Sequence, residues 1–168
     1  MQYAIAIDVG IKNLGICAYD FVENRVVHWD NVDLVPSGRY QPALNVQYVH
    51  CFVRRHASLF DKAAVVLVEK QMRCNMRIVE AVLQSIFFEK CVVIHARSIK
   101  AHYNIATRNY RDNKACAVEW VQRFVESNPQ VFVGDTAAKF ESEKKRDDLA
   151  DSLLLVLYYL DTFSLQKT

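Results

Sequence analysis

The sequence predicts an α/β fold with a mixed sheet, and three of its features carry that reading. Strand-like runs follow one another across residues 3–32 with only short reversals between them, which implies an antiparallel meander. Two later runs, Ala63–Glu69 and residues 91–95, are short, continuously apolar and β-branched; such strands sit buried on both faces, the first of them parallel to the opening strand. Around these runs lie segments whose apolar residues recur at helical spacing. At 168 residues, 52% hydrophobic and 24% charged, the chain has the usual size of one domain with one core, and a single domain over residues 1–168 is expected.

The opening run, Tyr3-Ala4-Ile5-Ala6-Ile7-Asp8, is apolar except for Asp8, and a Gly-containing reversal leads into a second apolar run through Leu14-Gly15-Ile16-Cys17-Ala18. An ionised carboxylate in so apolar a strand is costly unless a cation or hydrogen-bond donors meet it. A divalent metal is one such partner; backbone N–H groups of the turn toward Gly10 are the other. After a turn at Glu23-Asn24, Arg25–Val32 has the β propensity of a third strand.

Pro36, Ser37, Gly38 and Pro42 then break the chain. From about Leu44, Val46, Val49, Phe52, Val53, His56 and Leu59 fall at helical spacing, predicting a helix that lies on the sheet. Ala63–Glu69 repeats the oddity of Asp8: Glu69 is an acid at the carboxyl end of an apolar strand, where open α/β sheets place their ligand sites. Pairing with Lys70 or Arg73 at the rim is the alternative. A helix over 75–90 carries Met76, Val79, Val82, Leu83, Ile86 and Phe87, and the strand at 91–95 follows.

Between Arg97 and Lys114 the character changes. Arg97, Lys100, His102, Tyr103, Arg108, Tyr110, Arg111 and Lys114 interleave cations and aromatic rings without clear periodicity, a composition that suits phosphates and stacked bases or an ordinary solvated loop. A helix resumes over 114–125 and stops at Asn128-Pro129; residues 131–134 read as a short extended piece, and 137–145 as charged surface or a helix start. The last segment, 147–163, is a strongly apolar helix. Its Asp148 and Asp151, three residues apart, are neighbours on one face, opposite Leu149, Leu153, Val156, Leu157 and Leu160. Complementation of the helix dipole explains Asp147 and Asp148 but explains Asp151 poorly, since it lies further in.

Composition excludes several classes. Asp8, Glu69, Glu80 and Asp151 interrupt the apolar stretches, so a membrane span is not expected, and the N-terminus lacks the pattern of a signal peptide; an intracellular protein is expected. Five cysteines without a C-x-x-C argue against a disulfide framework or a zinc ribbon, and His50, Cys51 and His56 lack the second ligand pair that zinc needs. A net charge of +2 does not by itself identify a nucleic-acid binder.

Three stretches, read together, carry a resemblance. Ile7-Asp8-Val9-Gly10-Ile11-Lys12-Asn13-Leu14-Gly15-Ile16, Val65-Val66-Leu67-Val68-Glu69-Lys70-Gln71 and Lys144-Lys145-Arg146-Asp147-Asp148-Leu149-Ala150-Asp151-Ser152-Leu153-Leu154 resemble, in the same order, the RuvC-like Holliday junction resolvases of the RNase H-like superfamily. Length and spacing are most like the poxvirus branch, with the fungal mitochondrial branch as near neighbour. The resemblance implies an RNase H-like fold: a five-stranded mixed sheet, three antiparallel strands first and parallel strands after, flanked by helices on both faces. It also implies a structure-selective endonuclease that acts on branched DNA.

In that reading Asp8 bridges two metal ions, Glu69 binds one, and Asp148 with Asp151 completes the pair. All-oxygen ligation selects Mg²⁺, with Mn²⁺ as substitute, over zinc. Lys114 holds the scissile phosphate, a looser match than the acids, and Asp147 stands one residue off the expected register. Arg108, Tyr110, Arg111 and Lys114 are the expected DNA contacts. Two cuts on a two-fold symmetric junction imply a homodimer, with Met76, Val79, Leu83, Ile86 and Phe87 as its expected interface. The poxvirus branch implies the host cytoplasm, the fungal one the mitochondrial matrix. Competing expectations are an actin/Hsp70-like nucleotide-binding domain, for whose phosphate loops four glycines are few, a non-catalytic RNase H-like binding module, and a nuclease for RNA–DNA hybrids or flaps.

Overall fold

Alternation along a central strand supplies both cores of this protein. The computed structural model describes residues 2–35, 37–107 and 109–163. Five strands, β1 (Tyr3–Asp8), β2 (Leu14–Asp20), β3 (Arg25–Val32), β4 (Ala63–Glu69) and β5 (Cys91–Ile94), form one sheet in the order β3-β2-β1-β4-β5. The first three are antiparallel, and β4 and β5 run parallel to β1, as expected. Side chains of a strand alternate between faces: Ala4 and Ala6 of β1 enter one apolar cluster and Ile5 and Ile7 the other, all four with no exposed surface. The reversal between β1 and β2 is tight enough to need Gly10, where a methyl group would stand 1.9 Å from the Asn13 carbonyl oxygen.

On one face lie α1 (Asn45–Arg55), α2 (Ala57–Phe60) and α3 (Cys74–Ile86), whose Val49, Phe52, Phe60, Val79 and Leu83 pack on Ile5, Ile7, Val66 and Val68. The single helix expected over 44–59 divides at His56, whose Nδ1 lies 2.9 Å from the Phe52 carbonyl oxygen. The helix over 75–90 is shorter than expected and ends at Ile86. Its apolar residues also correct the expected dimer interface. Val79, Leu83 and Phe87 are buried in the protein's own core and cannot meet a partner, whereas Met76 and Ile86 are half-buried and Ile78 is 43% exposed.

The opposite face carries α4 (Ala96–His102), α5 (Tyr110–Ser127), α6 (Thr136–Ser142) and α7 (Arg146–Phe163). Here the stretch over 97–114, which shows no clear periodicity in the sequence and for which an ordinary solvated loop is one of two readings, is helical at both ends. Ile99 is buried and anchors α4, and α5 begins at Tyr110, where the Asn109 side chain accepts a hydrogen bond from the Arg111 N–H at 3.0 Å. Residues 131–134 are not a strand: a 3₁₀ turn, Pro129–Val131, leads into a single parallel bridge between Val26 and Phe132. The charged stretch at 137–145 contains α6 because Phe140 is fully buried, its ring stacked 4.8 Å from that of Trp29.

Helix α7 packs against β1, β2 and β3 on one side and α5 on the other, so it is apolar almost all round. From Leu149 to Leu157 every residue but Asp151 is buried. Among the described residues no helix is long and apolar enough to cross a membrane.

Candidate active site

Strand register brings the first acids together. Ile7 pairs with Val68 across the parallel β1–β4 ladder, so the next residue on each strand, Asp8 and Glu69, ends its strand at the same carboxyl edge of the sheet. On the other side of β1, Asp8 pairs with Gly15 of β2. Gly15 has no side chain to hold α7 away, and the backbone of Asp148 sits directly against it; a methyl group there would stand 2.2 Å from the Asp148 carbonyl oxygen. Asp151 follows one turn along. The start of α7 is held in register from below by Trp29, whose Nε1 donates to the Leu149 carbonyl at 2.9 Å, while the Ser152 hydroxyl donates to the same oxygen at 2.8 Å.

Asp8, Glu69, Asp148 and Asp151 therefore line one cleft of about 580 Å³, with Lys100, Lys114 and Lys145 in its wall. Burial, then the negative charges of Glu69, Asp151 and Asp148, hold the Asp8 carboxyl well above the usual carboxylate range. Burial and Asp151 push Glu69 up to about 7 despite Lys100 and Lys114. Burial and the adjoining Asp147 push Asp148 up to about 6. Asp151 is raised by burial, against which Lys100 works. The Lys100 ammonium is 3.8 Å from the Asp151 carboxylate, and the two side chains are 14% and 12% exposed.

Asp147 behaves differently. It pairs with Lys114, and although burial opposes it, that hydrogen bond and charge hold its carboxyl below the usual range. It lines the neighbouring groove instead of the cleft, which separates it from the four clustered acids.

Among the described residues no three His, Cys, Asp or Glu side chains already stand as a closed set of metal ligands. The donor chemistry nevertheless fits a hard cation: four carboxylates, oxygen only, sharing one cleft and raising one another's proton affinity. Placing positive charge among them removes the repulsion that their burial intensifies.

Of the residues expected to touch DNA, Lys114 is at the cleft, and Arg111 is exposed on the first turn of α5, outside the cleft wall. Arg108 and the Tyr110 side chain lie outside the described residues. Two further cations of the cleft wall, Lys100 and Lys145, stood in the sequence only as members of longer runs, the mixed basic and aromatic stretch over 97–114 and the basic run before the last helix, without a place in the expected site. Lys100 belongs to a helix with a single buried apolar residue and so leaves little periodic signal; Lys145 lay in plain view in the Lys144-Lys145-Arg146 run just before the last helix.

A five-stranded mixed sheet with helices on both faces and acids gathered at the carboxyl edge of its central strands is the architecture of RNase H-like proteins. The model of the Poxvirus A22 protein family matches residues 3–163, and the chain belongs to that family, in keeping with the expected poxvirus branch. A comparison with curated protein sequences gave no match. Among solved structures the fold is similar to the fowlpox virus resolvase in complex with Holliday junction DNA (17% identity, 96% of this chain and 98% of that one, TM-score 0.71). It is similar also to the yeast mitochondrial Holliday junction resolvase Ydc2 (19% identity, 98% and 86%, TM-score 0.68) and to Thermus thermophilus RuvC with a Holliday junction substrate (14% identity, 96% and 96%, TM-score 0.56).

Proposed function

We propose that this protein is a structure-selective endodeoxyribonuclease that resolves four-way DNA junctions by divalent-metal-dependent hydrolysis of two opposed phosphodiesters. The observation that carries the reading is the gathering of Asp8, Glu69, Asp148 and Asp151 in one cation-lined cleft at the carboxyl edge of the sheet. Family membership and the fold shared with fowlpox, yeast and bacterial resolvases support the choice of substrate.

Asp8, Glu69, Asp148 and Asp151 would hold two Mg²⁺ ions, with Mn²⁺ as a substitute. Bound there, the ions supply charge neutralisation, a lowered pKa for the attacking water and stabilisation of the leaving oxygen. The chain's own side chains do the rest. Lys100 holds the Asp151 carboxylate and lowers its proton affinity. Lys114, anchored by Asp147 at the cleft wall, meets the charge that develops on the scissile phosphate. Arg111 contacts the DNA backbone outside the cleft.

One cleft per chain cuts one strand, so paired cleavage of a two-fold junction calls for an isologous dimer. Its seat is the groove between α1 and α3, where Val46, Ile78, Ala81, Val82 and Ile86 present apolar surface. As a poxvirus-type resolvase it acts in the cytoplasm of the infected cell.

The test is cleavage of end-labelled four-way junction, linear duplex, flap and RNA–DNA hybrid with Mg²⁺ and with EDTA. Symmetric nicking of the junction in Mg²⁺ alone is expected. Preferential cutting of the hybrid or the flap, or unchanged cutting in EDTA, would replace this reading.

A further inference from the structure

Beside the catalytic cleft runs a second groove, about 600 Å³, between α5 and the segment that enters α7; Lys114, Val118, Gln122, Lys144, Arg146 and Asp147 contribute to its walls. Lys114 lines both spaces, so they adjoin. At their boundary stand three consecutive cations, with Lys145 in the wall of the cleft and Lys144 and Arg146 in the wall of the groove. All three are exposed, and among the described residues none of them makes an ion pair. The groove's own acids are already matched, Glu119 by Arg123 at 2.6 Å and Asp147 by Lys114.

The backbone that carries these cations is fixed. The Glu143 carboxylate accepts the N–H groups of Lys144 at 2.8 Å and Lys145 at 3.2 Å, and Asn31 of β3 donates to the Lys145 carbonyl at 2.9 Å. Lys145 already acts on the carboxylates of Asp147 and Asp148, whereas Lys144 and Arg146 carry positive charge on a pinned backbone without an ion pair among the described residues. Continuous with a cleft that cuts phosphodiesters, this charge suits a polyanion that extends beyond the cleft. Arg146 can grip a phosphate with two parallel N–H donors, and Lys144 adds a point charge. Ala115 and Val118 give a deoxyribose an apolar surface to rest on.

We propose that this groove is a second phosphate-binding site, which holds the DNA strand next to the phosphate being cut, with Lys144 and Arg146 as its anion-binding side chains. This inference rests on the nuclease reading of the cleft. Its consequence is a division of labour: Lys114 and Lys145 act at the scissile phosphate, and Lys144 and Arg146 act on binding alone.

The experiment compares the wild-type protein with Lys144→Ala/Arg146→Ala and with Arg25→Ala/Lys62→Ala. The latter removes the same charge from the opposite end of the sheet, where Tyr3 pairs with Asp20 and Ala63 and Asp20 pairs with Arg25. Affinity for a labelled four-way junction is read from about 50 to 200 mM salt in EDTA, and single-turnover cleavage is read with Mg²⁺ at saturating protein. The groove variant is expected to lose roughly tenfold or more in affinity, with a salt slope shallower by about two, while its saturated cleavage rate stays within about threefold of wild type. The control variant keeps the wild-type slope. A groove variant indistinguishable from the control in affinity and slope overturns the proposal, as does a saturated rate that collapses with affinity unchanged. Absence of metal-dependent cleavage by the wild-type protein sinks the nuclease reading instead, and the binding arm reports that failure separately.

Discussion

Gly15 and Asp148 touch backbone to backbone: a methyl group on Gly15 would stand 2.2 Å from the Asp148 carbonyl oxygen and 2.9 Å from its carbon. The contact joins the strand residue that pairs with Asp8 to the helix that carries two of the cleft's acids. Gly15→Ala must therefore lift the start of α7 from the sheet, strain the bond from Trp29 to Leu149 and move Asp148 and Asp151 away from Asp8. Overpacking of this kind costs about 1–3 kcal/mol, and a displacement of about 1 Å at a reacting centre costs on the order of 100-fold in rate. Urea denaturation and single-turnover junction cleavage should both register the change; wild-type values in both would mean that the helix is free to shift without consequence.

The clustered acids give metal-free protein a stability that depends on pH in a stated direction. Glu69 at about 7, Asp148 at about 6, and Asp8 and Asp151 raised likewise, all lie above the roughly 4 of an unfolded carboxyl. Over that interval the folded state binds more protons than the unfolded one, so these groups make stability fall as pH rises from about 4 through about 7. Asp147, held low by Lys114, has the opposite sign, but its contribution is lost only as pH drops below about 4. In calorimetry without divalent ions, the melting temperature should be lower at pH 8 than at pH 5.5, and Asp8→Asn should raise it at pH 8. Mg²⁺ should raise it more at pH 8 than at pH 5.5, because protons compete for the same oxygens. A metal-free protein that is more stable at pH 8, and indifferent to Asp8→Asn, would contradict the cluster.

Asp8→Asn, Glu69→Gln, Asp148→Asn and Asp151→Asn each remove one charge with little change in volume. Each should lower cleavage by on the order of 100- to 1000-fold or more while junction binding persists. Asp147→Asn should be milder, since it loosens Lys114 without touching the four acids. Lys114→Ala should slow the saturated rate more than it weakens binding, and Arg111→Ala should do the reverse. Lys100→Ala releases the Asp151 carboxylate; its loss of rate should be partly restored by Lys100→Arg, which a change of packing alone would not explain. Wild-type cleavage by folded Asp8→Asn protein would remove the metal-site assignment altogether.

The sheet and the four acids were legible in the sequence because both leave strong local signals. Strands buried on both faces read as unbroken apolar runs, so Asp8 and Glu69 stood out as costly exceptions, and Asp151 stood out in a helix apolar all round. What could not be read was set by tertiary contact. Helix α4 has Ile99 as its buried anchor, too little for a periodic pattern, so Lys100 stood out only as one cation of a mixed stretch and not as the partner of Asp151. Helix α6 depends on Phe140 meeting Trp29 across 111 residues of chain. Excess apolar surface on α3 suggested a partner, but periodicity says that a side chain is buried and not by what: Val79, Leu83 and Phe87 turned out to face the protein's own sheet.

That correction sharpens the test of assembly. The apolar surface left on this face is a groove of about 790 Å³ between α1 and α3, walled by Val46, Ala81, Val82 and Ile86, with Ile78 43% and Val46 46% exposed. Phe88, though 76% exposed, lies outside it, beyond the end of α3. Placing a charge in the centre of an apolar contact costs far more than placing one at an exposed site, because only the former loses its water on association. Ile78→Glu should therefore yield folded monomers that still cut one strand of a junction but lose coordinated cutting of the second, whereas Phe88→Glu should leave the assembly as it is. Sedimentation with and without junction DNA, paired with scoring of nicked against fully resolved product, reads both effects. Sedimentation of Ile78→Glu as a dimer, with resolution intact, would move the interface elsewhere on the protein; a monomeric wild type that resolves junctions symmetrically would remove the need for one.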